Sequence, residues 1–211
     1  MKSNYDPNCK KCPRLVHFLA NVKTQYPDYF CRPVPSFGEH NGKLLIVGLA
    51  PGMHGANRTG RPFTGDYAGV LLYETLYKFG FSSKKISAGK SDGLKLINCA
   101  ITNAVKCLPP NNKPIANEIN QCNYYLMNEL LELPPHSAIL ALGGVAHKAI
   151  IKAMGLQQSK YKFRHSAEYL VQQKMLFDSY HCSRYNTNTK RLTKAMFQQI
   201  FVRIHQYLDN G

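Results

Sequence analysis

Residues 45–66, LIVGLAPGMHGANRTGRPFTGD, join a short apolar run to a loop that contains five glycines. An apolar run of this length that ends at a glycine is typical of a buried strand in a parallel sheet. Glycines directly after such a strand allow the backbone to approach a ligand closely. The stretch therefore predicts an α/β fold with a ligand-binding loop at the end of one strand.

This loop lacks the features of a nucleotide phosphate site. A Walker A loop needs a lysine and a serine or threonine immediately after its last glycine, and a dinucleotide-binding loop needs the spacing GxGxxG. Neither is present. What the loop offers instead is one aromatic ring, Phe63, and polar side chains at His54, Asn57 and Asp66.

The rest of the chain alternates apolar runs with helical patterns, as in a parallel sheet covered by helices. We predict strands at residues 43–48, 94–100, 138–142 and 175–179, and helices at residues 66–79, 115–133, 145–154 and 192–208. No linker or repeat divides the sequence. It predicts a single α/β domain over residues 1–211, with a central four-stranded, mainly parallel sheet flanked by helices and an irregular N-terminal extension.

The charge of the chain points to a polyanionic partner. There are 27 lysines and arginines against 12 acidic residues, a net charge of +15. Nucleic acid is the simplest partner for this surplus, because phosphate neutralisation releases counterions; a basic but inert surface is the alternative. No segment approaches the roughly 20 apolar residues of a membrane span. The seven cysteines, an odd number without an apolar leader, indicate a reducing compartment, and we expect the cytoplasm.

Four cysteines have spacings that suggest a metal site. Cys9 and Cys12 form a CxxC pair, and Cys107 and Cys122 form a second, wider pair. Zinc ribbons normally use two tight CxxC pairs, so the wide pair favours an iron–sulfur cluster, whose ligands are often scattered along a chain. Zinc, or four buried free thiols, remain the alternatives.

Long blocks of the sequence resemble family 5 uracil-DNA glycosylases (the UDGb group), relatives of the family 4 iron–sulfur enzymes. In order, they are GLAPGMHGANRTGRPFTGD (48–66), TNAVKCLPPNNKP (102–114), ALGGVAH (141–147), FRHSAEY (163–169) and SYHCSRYNTNTKRLT (179–193). The resemblance implies the uracil-DNA glycosylase fold and a monomer. It also implies an N-terminal cluster-binding segment over about residues 1–42 and a [4Fe–4S] cluster on Cys9, Cys12, Cys107 and Cys122.

The resemblance implies a monofunctional DNA glycosylase that begins base-excision repair. Such an enzyme flips the damaged nucleotide out of the duplex and hydrolyses its N-glycosidic bond. The expected substrate is DNA that contains uracil, and other deaminated bases such as hypoxanthine and xanthine. A non-catalytic iron–sulfur or zinc nucleic-acid-binding protein is the alternative.

Catalysis is assigned, by the same resemblance, to Asn112 and His181. The best-known uracil-DNA glycosylases activate water with an aspartate in the first motif, but Leu49 and Ala50 stand there in this chain. His181 is expected to give a hydrogen bond or charge to the departing base, and Asn112 to orient water or the sugar. Asn57 is our candidate for placing the water. Asp66 is a less favoured one, since an N-cap is its simpler interpretation.

The base is expected to contact Ala50, Phe63 and Asn103. Phe63 would stack on the flipped ring, unless it only packs in the core. An amide at Asn103 matches the O4 and N3–H edge of uracil. Family 5 commonly has a small residue at the position of Asn103, so we expect this chain to favour uracil more than its relatives do.

The last block carries the expected DNA contacts. His181, Cys182 and Ser183 replace the usual His-Pro-Ser, so a loop that proline would stiffen has a cysteine instead. The resemblance predicts phosphate contacts from five polar side chains; a solvated loop is the alternative. They are Ser183, Arg184, Asn186, Thr187 and Asn188.

Overall fold

The computed structural model describes residues 5–210. Residues 1–4, at the start of the predicted cluster-binding segment, and residue 211 lie outside the described part. The strands form one six-stranded sheet in the order β1-β3-β2-β4-β6-β5. They are β1 (Phe37–Gly38), β2 (Leu44–Gly48), β3 (Cys99–Asn103), β4 (Ala138–Leu142), β5 (Glu168–Val171) and β6 (Lys174–Ser179).

The predicted four-stranded parallel sheet forms the middle of this larger sheet. β3, β2, β4 and β6 run parallel, and the short strands β1 and β5 pair antiparallel at the two edges. The second predicted strand, 94–100, is misplaced, because β3 starts only at Cys99. Leu94 and Leu96 are buried, but they pack from a loop, and Asn98 turns the chain with a φ of 52°. The apolar residues at 94 and 96 therefore reflect burial of a loop and not a strand.

The four predicted helices are confirmed, with every bound within two residues of its predicted place. The extension also contains a helix that was not predicted, α1, whose Pro13 occupies the first turn, where a missing N–H costs nothing. No helix of residues 5–210 has the length and apolarity to span a bilayer. The described helices are α1 (Pro13–Gln25), α2 (Ala56–Thr59), α3 (Tyr67–Lys78), α4 (Ala116–Glu132), α5 (Gly144–Ala153), α6 (Arg184–Asn188) and α7 (Lys194–Asp209).

The sheet is buried on both faces. Along β2, Leu44 and Ile46 pack against α3 and α7, whereas Leu45 and Val47 pack against α4 and α5, because successive side chains of a strand point to opposite faces. The parallel strands also end at the same edge of the sheet. The loops that follow β2, β3 and β6 therefore meet there.

Candidate functional site

A pocket lies at this edge of the sheet, between the loops that follow β2, β3 and β6. Its volume is about 380 Å³, within the range of small-molecule sites. The structure brings seven of the predicted site residues to its wall, and Asp66 with them. The seven are Ala50, Phe63, Asn103, Asn112, His181, Ser183 and Arg184.

Asn103 and Phe63 meet over Gly48. Gly48 is the register partner of Asn103 in the parallel pair. A Cβ at Gly48 would lie 2.4 Å from Asn103 Oδ1 and 2.6 Å from Phe63 Cζ, so only glycine lets the amide and the ring come this close. Asn103 is 3% exposed, and its Oδ1 has no hydrogen-bond partner in the described chain. A buried acceptor without a protein partner calls for a donor, which an ordered water or a ligand in the adjoining pocket can supply.

The backbone holds Phe63 in a strained conformation. Its φ is 52°, in the left-handed region that bulky residues rarely adopt. Helix α3 packs tightly against it: a Cβ at Gly69 would lie 1.9 Å from the Phe63 carbonyl oxygen. The hydroxyl of Tyr73 donates to the Pro62 carbonyl oxygen at 2.9 Å. Strain maintained by surrounding contacts is common at functional sites.

The loop that carries Phe63 is also held by an ion pair, which could not be predicted from the sequence. Arg61, 5% exposed, donates from Nη1 to both oxygens of Asp92 at 2.8 and 2.9 Å, and from Nη2 to the Lys90 carbonyl oxygen at 2.8 Å. Burial opposes ionisation of Asp92, but Arg61 and three backbone N–H donors outweigh it and hold its pKa well below the usual range. Asp92 stands in the sequence as an ordinary turn residue, 31 positions from Arg61, so no local signal identifies the pair.

His181 follows β6 and forms the wall next to Phe63. The two rings stack with centroids 5.9 Å apart and planes 27° from parallel. Desolvation lowers the pKa of His181 to about 4, although its side chain is only half-buried at the pocket wall. At neutral pH the imidazole is therefore uncharged. It can donate a hydrogen bond to a ligand, but it brings no positive charge.

Asn112 reaches the rim of the pocket from a tight turn. Residues Pro110–Asn112 form a single 3₁₀ turn, and Asn111 and Asn112 have φ values of 53° and 55°. Asparagine tolerates this conformation better than most residues. Asn112 therefore shapes this turn and also lines the pocket.

The structure does not bring Asn57 to the pocket wall. Its side chain is fully buried, and its Nδ2 donates to Cys31 Sγ at 3.5 Å. Asp66 does line the pocket, while its Oδ1 caps α3 by accepting from the Gly69 N–H at 2.9 Å. Burial raises the pKa of Asp66. The role of Asn57 stays a prediction, and the geometry favours Asp66 for a contact with water in the pocket.

The predicted DNA-contact residues lie on and beside the short helix α6. Ser183 caps this helix, and Arg184 lies with its guanidinium 5.0 Å from the Tyr67 ring centroid. Asn186 is occupied within the loop, since its Nδ2 donates to the His181 carbonyl oxygen at 2.8 Å. Cys182 is fully buried in the core and anchors the loop. The contacts of Thr187 are local, its hydroxyl bonding to backbone carbonyls of the same helix, and Asn188 is exposed.

The four cysteines of the proposed metal site line one apolar cavity. Within residues 5–210, no group of three or more histidine, cysteine or carboxylate side chains is placed to hold a single metal ion. Burial raises the pKa of Cys122 to about 11 and that of Cys107 still further. The Lys106 N–H donates to Cys122 Sγ at 3.2 Å. Four soft thiols with a hydrogen-bonded sulfur are ligands that suit zinc or an iron–sulfur cluster. The four are Cys9, Cys12, Cys107 and Cys122.

The fold and the pocket define an α/β protein that binds a ligand at the carboxyl ends of its parallel strands. Comparison with known proteins identifies its family. Residues 35–204 match the model of the Uracil DNA glycosylase superfamily. The chain is 44% identical to the type-5 uracil-DNA glycosylase of Thermus thermophilus, over 92% of this chain and 91% of that protein. It is 40% identical to that of Pyrobaculum aerophilum, over 93% and 87%. The chain therefore belongs to the type-5 uracil-DNA glycosylases, and the predicted resemblance is confirmed.

More distant proteins share the fold. A type-4 uracil-DNA glycosylase of Sulfurisphaera tokodaii is 32% identical, over 92% of this chain and 79% of that protein. The crystal structure of SMUG2 from Pedobacter heparinus superposes with a TM-score of 0.50 at 18% identity, over 81% of this chain and 77% of that one. At this identity the likeness shows the fold alone.

Proposed function

We propose that the protein is a monofunctional DNA glycosylase that hydrolyses the N-glycosidic bond of uracil in DNA and so begins base-excision repair. The observation that carries this proposal is that Phe63 and the unpartnered amide oxygen of Asn103 lie at the wall of one pocket. The names of its relatives support the same activity.

The base would lie between these two groups. Asn103 Oδ1 accepts from the N3–H of uracil while Nδ2 donates to O4, and the Phe63 ring stacks on the base. Hypoxanthine and xanthine also present an N–H next to a carbonyl, so we include them as substrates. Asn103 is proposed to raise the preference for uracil above that of relatives with a small residue at this position.

Bond cleavage places negative charge on the departing base. A neutral His181 donates a hydrogen bond to a base oxygen, and this bond strengthens as the charge develops. Asn112 orients the sugar or the water from the rim, and Asp66 contacts that water. Leu49 and Ala50 supply no general base. No lysine lines the pocket in the described chain, which agrees with hydrolysis without a Schiff base.

The DNA backbone would bind around the mouth of the pocket. Ser183, Arg184 and Asn188 are available there for phosphates, whereas the side chains of Asn186 and Thr187 donate to backbone carbonyls within the loop. The net charge of +15 favours binding to DNA generally. We propose that the protein acts as a monomer on chromosomal DNA in the cytoplasm.

The four cysteines would hold a [4Fe–4S] cluster, which serves as a cross-link. Cys9 and Cys12 directly precede α1, and Cys107 lies five residues before Asn112 in the chain. Fastening these segments together fixes the turn that carries Asn112. Such a cluster supplies structure here, since the proposed hydrolysis transfers no electron.

Treating uracil-containing DNA with the protein and then with alkali tests the activity. We expect alkali-dependent strand breaks at uracil, a steep loss of them in His181→Ala, and little change in DNA affinity. If the variant lost affinity and activity together, His181 would be a contact for DNA and not a catalytic residue. DNA binding by the wild-type protein without any breaks, at low and at high salt, would support the non-catalytic alternative.

A further inference from the structure

A second groove lies directly beside the base pocket. Its volume is about 660 Å³, larger than that of the pocket. One wall is the exposed side of α3, and the other is the loop at residues 85–87. Phe63, Asp66, Tyr67 and Arg184 line both cavities, so the groove continues the pocket along the surface.

The walls of this groove combine exposed apolar side chains with positive charge. Val70 is 66% exposed and Ile86 is 74% exposed. Lys85 and Arg184 also line the groove. The two carboxylates that line the groove already have partners: Lys194 pairs with Glu74 at 2.7 Å, and Asp66 Oδ1 accepts from the Gly69 N–H at 2.9 Å. The surface therefore suits a ligand that is both apolar and anionic.

We propose that the groove binds the nucleotide next to the flipped one on the same DNA strand. Its base and sugar would lie against Val70 and Ile86, and its phosphate between Lys85 and Arg184. When a DNA strand places one base in the pocket, its next nucleotide must lie on the adjoining surface. The groove is such a surface, because it shares a wall with the pocket. Unpaired nucleotides are usually bound by stacking on aromatic rings beside a cationic track; in this groove the aliphatic side chains of Val70 and Ile86 take the place of the rings. The inference rests on the proposed glycosylase function.

Short single-stranded substrates isolate the contribution of this nucleotide. Each contains one uracil, and in two further substrates an abasic linker replaces the neighbouring nucleotide on the 5′ or the 3′ side. For the wild-type protein, one of these replacements should lower kcat/KM about tenfold, as expected for loss of one base contact. In Ile86→Ala, where only Val70 remains to contact the base, the same replacement should lower kcat/KM much less than tenfold, and on the abasic substrate the variant should match the wild type.

Leu131→Ala is the matched control. Leu131 is an exposed aliphatic residue of similar accessibility, 72%, on α4 and outside the groove. It should retain the full wild-type discrimination. Lys85→Gln should lower the dependence of binding on salt by about one unit in the slope of log affinity against log salt.

Two results would refute the proposal that the groove binds the neighbouring nucleotide. One is an Ile86→Ala variant that still loses activity tenfold when the neighbouring base is removed, and the other is a wild-type protein that is indifferent to both replacements. Dissociation constants for the same oligonucleotides separate this failure from failure of the proposed function. A wild-type protein that excises no uracil refutes the proposed glycosylase activity. In that case the affinities test the groove: it is supported if Ile86→Ala reduces the affinity difference between the substrates, and refuted if that difference stays the same.

Discussion

Gly48→Ala tests whether Asn103 and Phe63 act together on the base. The new Cβ would lie 2.4 Å from Asn103 Oδ1 and 2.6 Å from Phe63 Cζ, whereas ordinary contacts begin near 3.4 Å. The amide must therefore retreat by about 1.0 Å and the ring by about 0.8 Å, in an interior that packs like a crystal. Overpacking of this kind costs about 1–3 kcal/mol. If the displaced groups are those that hold the base in the transition state, kcat/KM falls by about 5-fold to 150-fold.

The assay is single-turnover excision of uracil, corrected for the folded fraction measured by urea unfolding. Gly89→Ala is the control, because a Cβ at Gly89 meets nothing within 4 Å. Affinity for undamaged DNA should be unchanged in both variants. A folded Gly48→Ala protein that excises uracil at the wild-type rate would refute the role given to this pair.

Three other predictions concern His181, the Arg61 ion pair and the cysteines. The pKa of His181, about 4, keeps its imidazole neutral from pH 5 to 8. The pH profile of kcat/KM should therefore have the same shape near pH 6.5 in the wild type and in His181→Gln; a step near 6.5 that only the wild type shows would contradict this. Asp92→Asn leaves Arg61 buried without its partner and should cost about 3–5 kcal/mol of unfolding free energy in urea, against under about 1 kcal/mol for Glu74→Gln in an exposed pair. Because the pKa of Asp92 is lowered on folding, its stabilisation is fully present above about pH 4 and declines progressively as the pH falls from there towards the folded pKa; a stability difference between wild type and Asp92→Asn that is as large at pH 2 as at pH 7 would contradict this. Cys107→Ser should lose bound iron and visible absorbance, whereas Cys31→Ser should keep both; equal iron in the two would remove Cys107 from the ligand set.

The apolar runs in the sequence predicted the central strands of the sheet but not its two edge strands. β2 and β4 are continuous apolar stretches buried on both faces, so their pattern is unmistakable. β1 has only two residues, and β5 is largely accessible to solvent, so neither produces such a run. Leu94 and Leu96 show the opposite error, since buried loop residues imitate a strand.

The site was predicted as far as its residues carry recognisable chemistry within a motif. Phe63, Asn103 and His181 come from three separate blocks and line one pocket. Their support could not be predicted in the same way. The partnership of Arg61 with Asp92 depends on how a long loop folds back, and the burial of Asn57 depends on the path of the chain around Cys31.

Release of free uracil tests the central claim most directly. The purified protein is incubated with DNA that contains one uracil, and the free base and the alkali-labile sites are counted in the same sample. We predict equal amounts of the two, with no strand break before alkali is added. Tight binding to this DNA without release of uracil, over a range of salt concentrations, would contradict the claim.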